Sequence, residues 1–328
     1  LDDLTPLREF NVVNQPQLIT PRPAYRFLHG SVSERWGGPG INYAVRSGIY
    51  AAHVEVETNG KKVRRFIDAG SNPISGAEIF YFLPESIDQD SNITLTFMEK
   101  NGNVIKLFQN SSESETSELT TYPGLNHFVW DLRYSDAVSV EGDAGTVQSI
   151  KGPVAPNGIY EVKIEISEFV DTKQFEVRTY PNVGANQEDI HEQFNFLIKI
   201  RDKLSDIHRS INDIRHLKTE IGKWTNTNDA KGDIYSQAQL IMDQLRSIEE
   251  TLIQTKFMSP LDRVKYPAKL NYQLGELASV VGSADAKPTR QSYEVYDKLC
   301  QDIDKQLDGL NQLKTSGLDE INKLIASM

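Results

Sequence analysis

Residues 188–224 read EDIHEQFNFLIKIRDKLSDIHRSINDIRHLKTEIGKW. Ile190, Phe194, Leu197, Leu204, Ile207, Ile211, Ile214, Leu217, Ile221 and Trp224 recur at helical spacing, so they share one face of a helix while charged residues fill the other. No proline interrupts the stretch, and the pattern predicts one long amphipathic helix. Upstream of it the apolar period is two. The change falls at residues 181–187, which the sequence marks as a linker between a β-rich half and a helical half.

Downstream, Ile234, Ala238, Ile241, Leu245, Ile248 and Leu252 alternate steps of four and three, the seam of a paired helix. Pro260 and Pro267 bracket a loop. Leu270, Leu274, Leu277 and Val281 make a shorter helix, and Pro288 opens a fourth on Tyr293, Tyr296, Cys300, Ile303, Leu307 and Leu310. Short connections between long helices predict an up-and-down four-helix bundle over 188–328.

In the first half, segments near 24–28, 49–58, 61–67, 79–83, 92–99, 104–108, 126–132, 158–167 and 173–178 read as strands of five to ten residues separated by turns. Asn59-Gly60 and Asn101-Gly102 are hairpin turns. Trp130 alternates inward with Phe128 and Leu132. Regular short strands without helices between them predict an antiparallel Ig-like β-sandwich over 31–180, hence an α+β chain. Residues 1–30, broken by Pro16, Pro21 and Pro23, read as a strap or linker from a preceding domain. The Ser/Glu-rich stretch 111–117 and the crossing 141–152 read as loops without a structural part.

The composition excludes several classes of function. With 35 Lys and Arg against 46 Asp and Glu, the formal net charge is -11, and along the helices the basic residues are interleaved with acidic ones. Such a surface repels a phosphate backbone, so no nucleic acid is expected as a partner. No apolar run approaches the roughly 20 residues of a membrane span. A single cysteine, Cys300, allows no internal disulfide, and on an apolar helix position it reads as a small buried hydrophobe.

Catalytic constellations with fixed spacing are missing: there is no phosphate-cradling loop, nucleophile elbow, zinc-binding helix or dinucleotide fingerprint. No catalytic residue, metal ligand or cofactor is therefore assigned. The nearest to a zinc helix is His191-Glu192 followed by Asn195, which lacks the second histidine one turn on. His53, Glu55 and Glu57 share one side of a strand and read as a solvated face. His208 and His216 read as surface residues beside the helical stripe. The binding candidates are Arg35, Trp36 and Tyr43 in and beside a Gly-rich loop, since an exposed aromatic with Arg can stack on a sugar or grip a partner. Asn92 and Asn110 open N-glycosylation sequons.

Several blocks resemble a known family: LDDLTPLRE (1–9), AYRF (24–27), AGSNPISGAEIFYFL (69–83), YPGLNHFVWDLRY (122–134) and GPVAPNGIYEVKI (152–164), with helical segments at 188–215, 259–281 and 288–299. They look like the C-terminal part of bacterial sortilin-like proteins, labelled glycosyl hydrolases with BNR or Asp-box repeats. That resemblance implies a large N-terminal β-propeller, absent from these residues, followed by a sandwich similar to the flagellar hook-capping Ig-like domain and a helical region. It implies a secreted, periplasmic or cell-surface protein. The expected role is a non-catalytic scaffold or protein-interaction module whose partner is a β-propeller of the same polypeptide. Two alternatives stand beside it: an accessory carbohydrate-binding part of a glycoside hydrolase-like enzyme, taking a glycan at Trp36, and a helical oligomerisation module.

Overall fold

A computed structural model describes residues 2–10, 14–26, 40–44, 50–56, 62–67, 74–87, 91–110, 119–143, 150–181, 183–227 and 233–317. The chain divides into two units, Leu1–Leu132 with Gly158–Asn182, and Arg133–Asn157 with Val183–Met328. Among the described residues the first unit carries strands β1 (Gln17–Leu18), β2 (Ala24–Arg26), β3 (Gly40–Ala44), β4 (Tyr50–Val56), β5 (Lys62–Phe66), β6 (Ala77–Leu83), β7 (Ile93–Glu99), β8 (Val104–Gln109), β9 (Gly124–Trp130), β10 (Gly158–Ile166) and β11 (Phe169–Thr179). They form three sheets, in the orders β1-β6-β9, β2-β11-β10-β7-β8 and β3-β4-β5.

Alternation builds the core of this unit. On β10, Tyr160, Val162, Ile164 and Ile166 are buried while Glu161, Lys163 and Glu165 between them reach solvent, the signature of a strand with one buried face. Opposite, β9 contributes Phe128 and Trp130. Trp130 stacks on Phe97 of β7 with ring centroids 4.6 Å apart, and meets Tyr160 and Phe175 edge-on. Each such buried aromatic contributes roughly 1.5–3 kcal/mol by burial, and offset or edge contacts add to that.

The expected antiparallel Ig-like sandwich is corrected by the strand order. β2 pairs with β11 in parallel, Ala24 opposite Val177, so the five-stranded sheet is mixed. The remaining strands fall into two further sheets instead of one facing partner. The Pro-punctuated stretch causes part of this. β1 joins β6 in one sheet, and after Pro21 and Pro23 the same stretch places β2 at the edge of another, where a proline-flanked strand is tolerated.

In the second unit the helices are α1 (Gln187–Thr227), α2 (Asp233–Leu252), α3 (Leu270–Val281) and α4 (Arg290–Gln312). The Asn186 side chain caps α1 by accepting from the Asp189 amide at 2.8 Å, and Glu188 and Asp189 complement the positive end of the helix dipole. Thr289 caps α4 in the same way, accepting from Ser292. The buried stripe of α1 is Ile190, Phe196, Ile200, Leu204, Ile207, Ile211, Ile214 and Ile221. Phe194 lies beside this stripe and meets Tyr134 edge-on.

An up-and-down bundle of consecutive neighbours is also corrected. α1 packs as closely on α3 as on α2, whereas α2 and α3, successive in the chain, barely touch. The helices differ widely in length, from 12 residues in α3 to 41 in α1. A non-helical segment completes the core. Ala137 and Val140, just ahead of the crossing 141–152, are buried in the same apolar cluster as Ile207 and Ile211, and Ile150 of the crossing packs against it.

Candidate functional site

Arg35 and Trp36 lie outside the described residues. Tyr43 stands on β3 opposite Ala51 of β4, and the three candidates are not brought together within what is described. Of the strand-side group, His53 Nδ1 lies 3.4 Å from Glu55 Oε1, both about half exposed. Glu57 falls outside the described residues.

Two polar centres that the sequence did not single out are built by tertiary structure. The first is Glu78 on β6, a carboxylate only 4% exposed. Its Oε2 lies 2.5 Å from Arg22 Nη2, and its Oε1 lies 3.3 Å from His127 Nε2. Antiparallel pairing sets His127 of β9 directly opposite Phe80 of β6, and their rings stack at 4.6 Å. Both carboxylate oxygens are thus engaged, one by a guanidinium and one by an oriented imidazole, which is how a buried charge is made tolerable. The three residues are scattered over more than a hundred positions, so no local motif announces them.

The second centre runs along α1. His208, expected on the surface, is fully buried, because residues 135–141 lie over it. Its Nδ1 donates to the Val138 carbonyl, and the Val138 amide donates to Ser205 Oγ at 3.2 Å. Asn212 and Arg215 donate to the carbonyls of Ser139 and Glu141. Burial lowers the His208 pKa, and the Val138 hydrogen bond and the Asp143 charge only partly oppose it. One turn further, Arg215 and Lys218 of α1 each reach a carboxylate oxygen of Glu249 on α2 at 2.8 Å. His216 is exposed, as expected.

At the start of α1 an open groove of about 390 Å³ is floored by Phe196 and bordered by His191, Glu192 and Tyr293. His191 Nδ1 is bound to the Gln187 carbonyl one turn back at 2.8 Å. Glu192 takes Lys287 at 3.0 Å and the Tyr293 hydroxyl at 3.0 Å, and these two partners, Lys287 first, hold its pKa low. Among the described residues no group of three His, Cys, Asp or Glu side chains is placed to hold a metal ion. Cys300 is half-buried on α4, and burial raises its thiol pKa more than its neighbours lower it. Asn110 uses its side-chain amide to tie down the β7 end, donating to Ser91 O and accepting from Ile93 N.

No family model matches the chain, and no curated protein does. Among solved structures, one titled pT26-6p aligns with 85% of this chain at 10% identity and a TM-score of 0.12; the chain covers 48% of that structure's length. A likeness of that size carries no argument about fold or function. Among the described residues no helix is long and apolar enough to cross a membrane.

Proposed function

We propose that the chain is a non-catalytic scaffold and protein-docking module, and that its partner is a β-propeller of the same polypeptide in a secreted or periplasmic sortilin-like protein. The observation that carries this is the edge of the five-stranded sheet. β8 is its terminal strand among the described residues, and it turns Val104 and Leu107 outward to solvent. Exposed apolar side chains on a terminal strand offer a place for a partner's apolar surface to dock. The polar centres support the same reading. Glu78 is engaged by Arg22 and His127, and Glu249 by Arg215 and Lys218, so these buried charges serve the fold.

The coding sequence upstream of this chain should encode a propeller, and the test is association of the two pieces, expressed separately and followed by calorimetry and light scattering. Val104→Lys with Leu107→Lys, which charges the edge without touching the core, is expected to weaken binding by tenfold or more. Failure of the two wild-type pieces to associate at micromolar concentration would remove the proposal.

A further inference from the structure

The link between α2 and α3 differs in charge from the rest of the chain. Between positions 256 and 269 it holds Lys256, Arg263, Lys265 and Lys269 against one carboxylate, Asp262, in a protein of formal net charge -11. Asp262 is occupied within the link: its Oδ2 accepts from the main-chain amides of Met258 at 2.8 Å and Ser259 at 3.0 Å. Ser259 in turn accepts from the Leu261 amide, and this reciprocal cap opens a short 3-10 helix, Pro260–Val264.

The base of the link is anchored. Phe257 is buried edge-on to Tyr272, and the Gln254 side-chain amide donates to the Pro267 carbonyl at 3.1 Å. In a 3-10 helix residues three apart eclipse, so Leu261 and Val264 stand one above the other. Met258 is 89% exposed, Leu261 73% and Val264 87%. Beside them Tyr266 carries the Lys265 and Lys256 ammonium groups 5.1 Å and 5.9 Å from its ring centroid.

Three large aliphatic side chains held out into water on a pre-ordered backbone mark an interaction site. Their chemistry separates the possible partners. Protein interfaces enrich Met and Arg beside the aromatics but deplete Lys, and this link carries three lysines, Lys256, Lys265 and Lys269. At a lipid interface the whole set has a place: aliphatic tips enter the acyl boundary, Lys and Arg stems reach back to anionic headgroups, and Tyr sits at the polar level. The cap also meets the requirement for entering a medium poor in hydrogen-bond partners, since the amides of Met258, Ser259 and Leu261 are already satisfied. We infer that the tip formed by Met258, Leu261 and Val264, with the cations around it, docks this chain on an anionic lipid surface. The contact is peripheral and requires no spanning helix.

The test uses the whole chain and vesicles of phosphatidylcholine with about one-third phosphatidylglycerol, in flotation at low salt, beside pure phosphatidylcholine vesicles. Binding is expected on the anionic vesicles alone and should weaken steeply as salt rises. Lys256→Gln with Lys265→Gln is expected to lower the partition coefficient roughly twenty-five-fold, at about fivefold per cation. Met258→Ser, Leu261→Ser and Val264→Ser together should lower it on the order of a hundredfold. Both variants should keep the wild-type circular dichroism and melting profile, because the altered side chains are exposed. Lys100→Gln, on the β7–β8 turn of the other unit, should bind as wild type does. The inference is overturned by absence of binding to anionic vesicles, by equal binding to neutral ones, by a Lys100→Gln loss equal to that of the tip cations, or by light scattering that shows the tip pairing two copies of the chain without lipid.

Discussion

The imidazole Nδ1 of His208 donates to the main-chain carbonyl of Val138, seventy residues earlier in the chain, and this bond ties a non-helical segment onto the longest helix. The proton must then reside on Nδ1. Nε2 is buried with no partner among the described residues, so charging the ring would add an N–H donor with nothing to receive it.

Stability should therefore fall with mild acid. Burial depresses the folded pKa of His208 below its unfolded value of about 6.5, so the unfolded chain binds the proton first. The stabilisation is complete above about pH 6.5 and is lost as pH falls from there through the lower folded value. Urea midpoints measured from about pH 7.5 down to about pH 5 should decline for the wild type, and His208→Phe should remove that part of the slope. A wild-type midpoint level over this range, or an unchanged slope in the variant, would refute the assignment.

Glu249 responds to acid at a lower pH. Burial alone would raise its pKa, but the hydrogen bonds and charges of Lys218 and Arg215 outweigh that and hold it below the ordinary carboxylate range. Its stabilisation is present above the unfolded value of about 4.3 and is lost as pH falls through the depressed folded value. At neutral pH, Glu249→Gln keeps the shape and removes the charge. Arg215 and Lys218 are partly exposed and recover solvent, so the cost should be about 1.5–3 kcal/mol, below that of stranding a fully buried ion. A loss under about 0.5 kcal/mol in urea unfolding would show the triad to be incidental.

How far the sequence discloses this molecule depends on the reach of each pattern. The α1 stripe and the alternation of β10 are local periodicities, so Ile207, Ile211, Val162 and Ile164 are buried where spacing puts them. The mixed sheet was hidden because the parallel pairing of β2 with β11 joins residues about 150 positions apart, and nothing in Ala24–Arg26 announces its partner. His208 sits beside the apolar stripe at a position that would be exposed on a bare helix, and the segment around Val138 covers it. Glu78, Arg22 and His127 converge through the β6–β9 register and the course of the chain after β1, and each alone reads as a surface charge. The loop bracketed by Pro260 and Pro267 was legible as a loop, but its outward display of Leu261 and Val264 depends on the Ser259–Asp262 cap closing.

The segment over α1 can be tested through its glycine. Gly152 donates its amide to Asp136 Oδ1 and receives Arg133 Nη1 on its carbonyl, each at 2.8 Å, so it is held from both sides. A Cβ at this position would stand 1.9 Å from the Tyr134 carbonyl oxygen and 2.7 Å from that of Ser135. Those are main-chain atoms, which no rotamer change can move aside, so Gly152→Ala must part the two limbs of the segment. The expected loss is about 2–3 kcal/mol, with faster amide exchange at Val138, whose N–H bonds to Ser205. Gly222 is the control, because it lies in α1 and a Cβ there meets nothing within 4 Å. Gly222→Ala should stabilise by roughly 0.5–1 kcal/mol through helix propensity. The opposite signs of two identical substitutions, read as urea midpoints, separate close main-chain approach from a general intolerance of alanine; a Gly152→Ala midpoint equal to the wild type would mean that Tyr134 and Gly152 are not in contact.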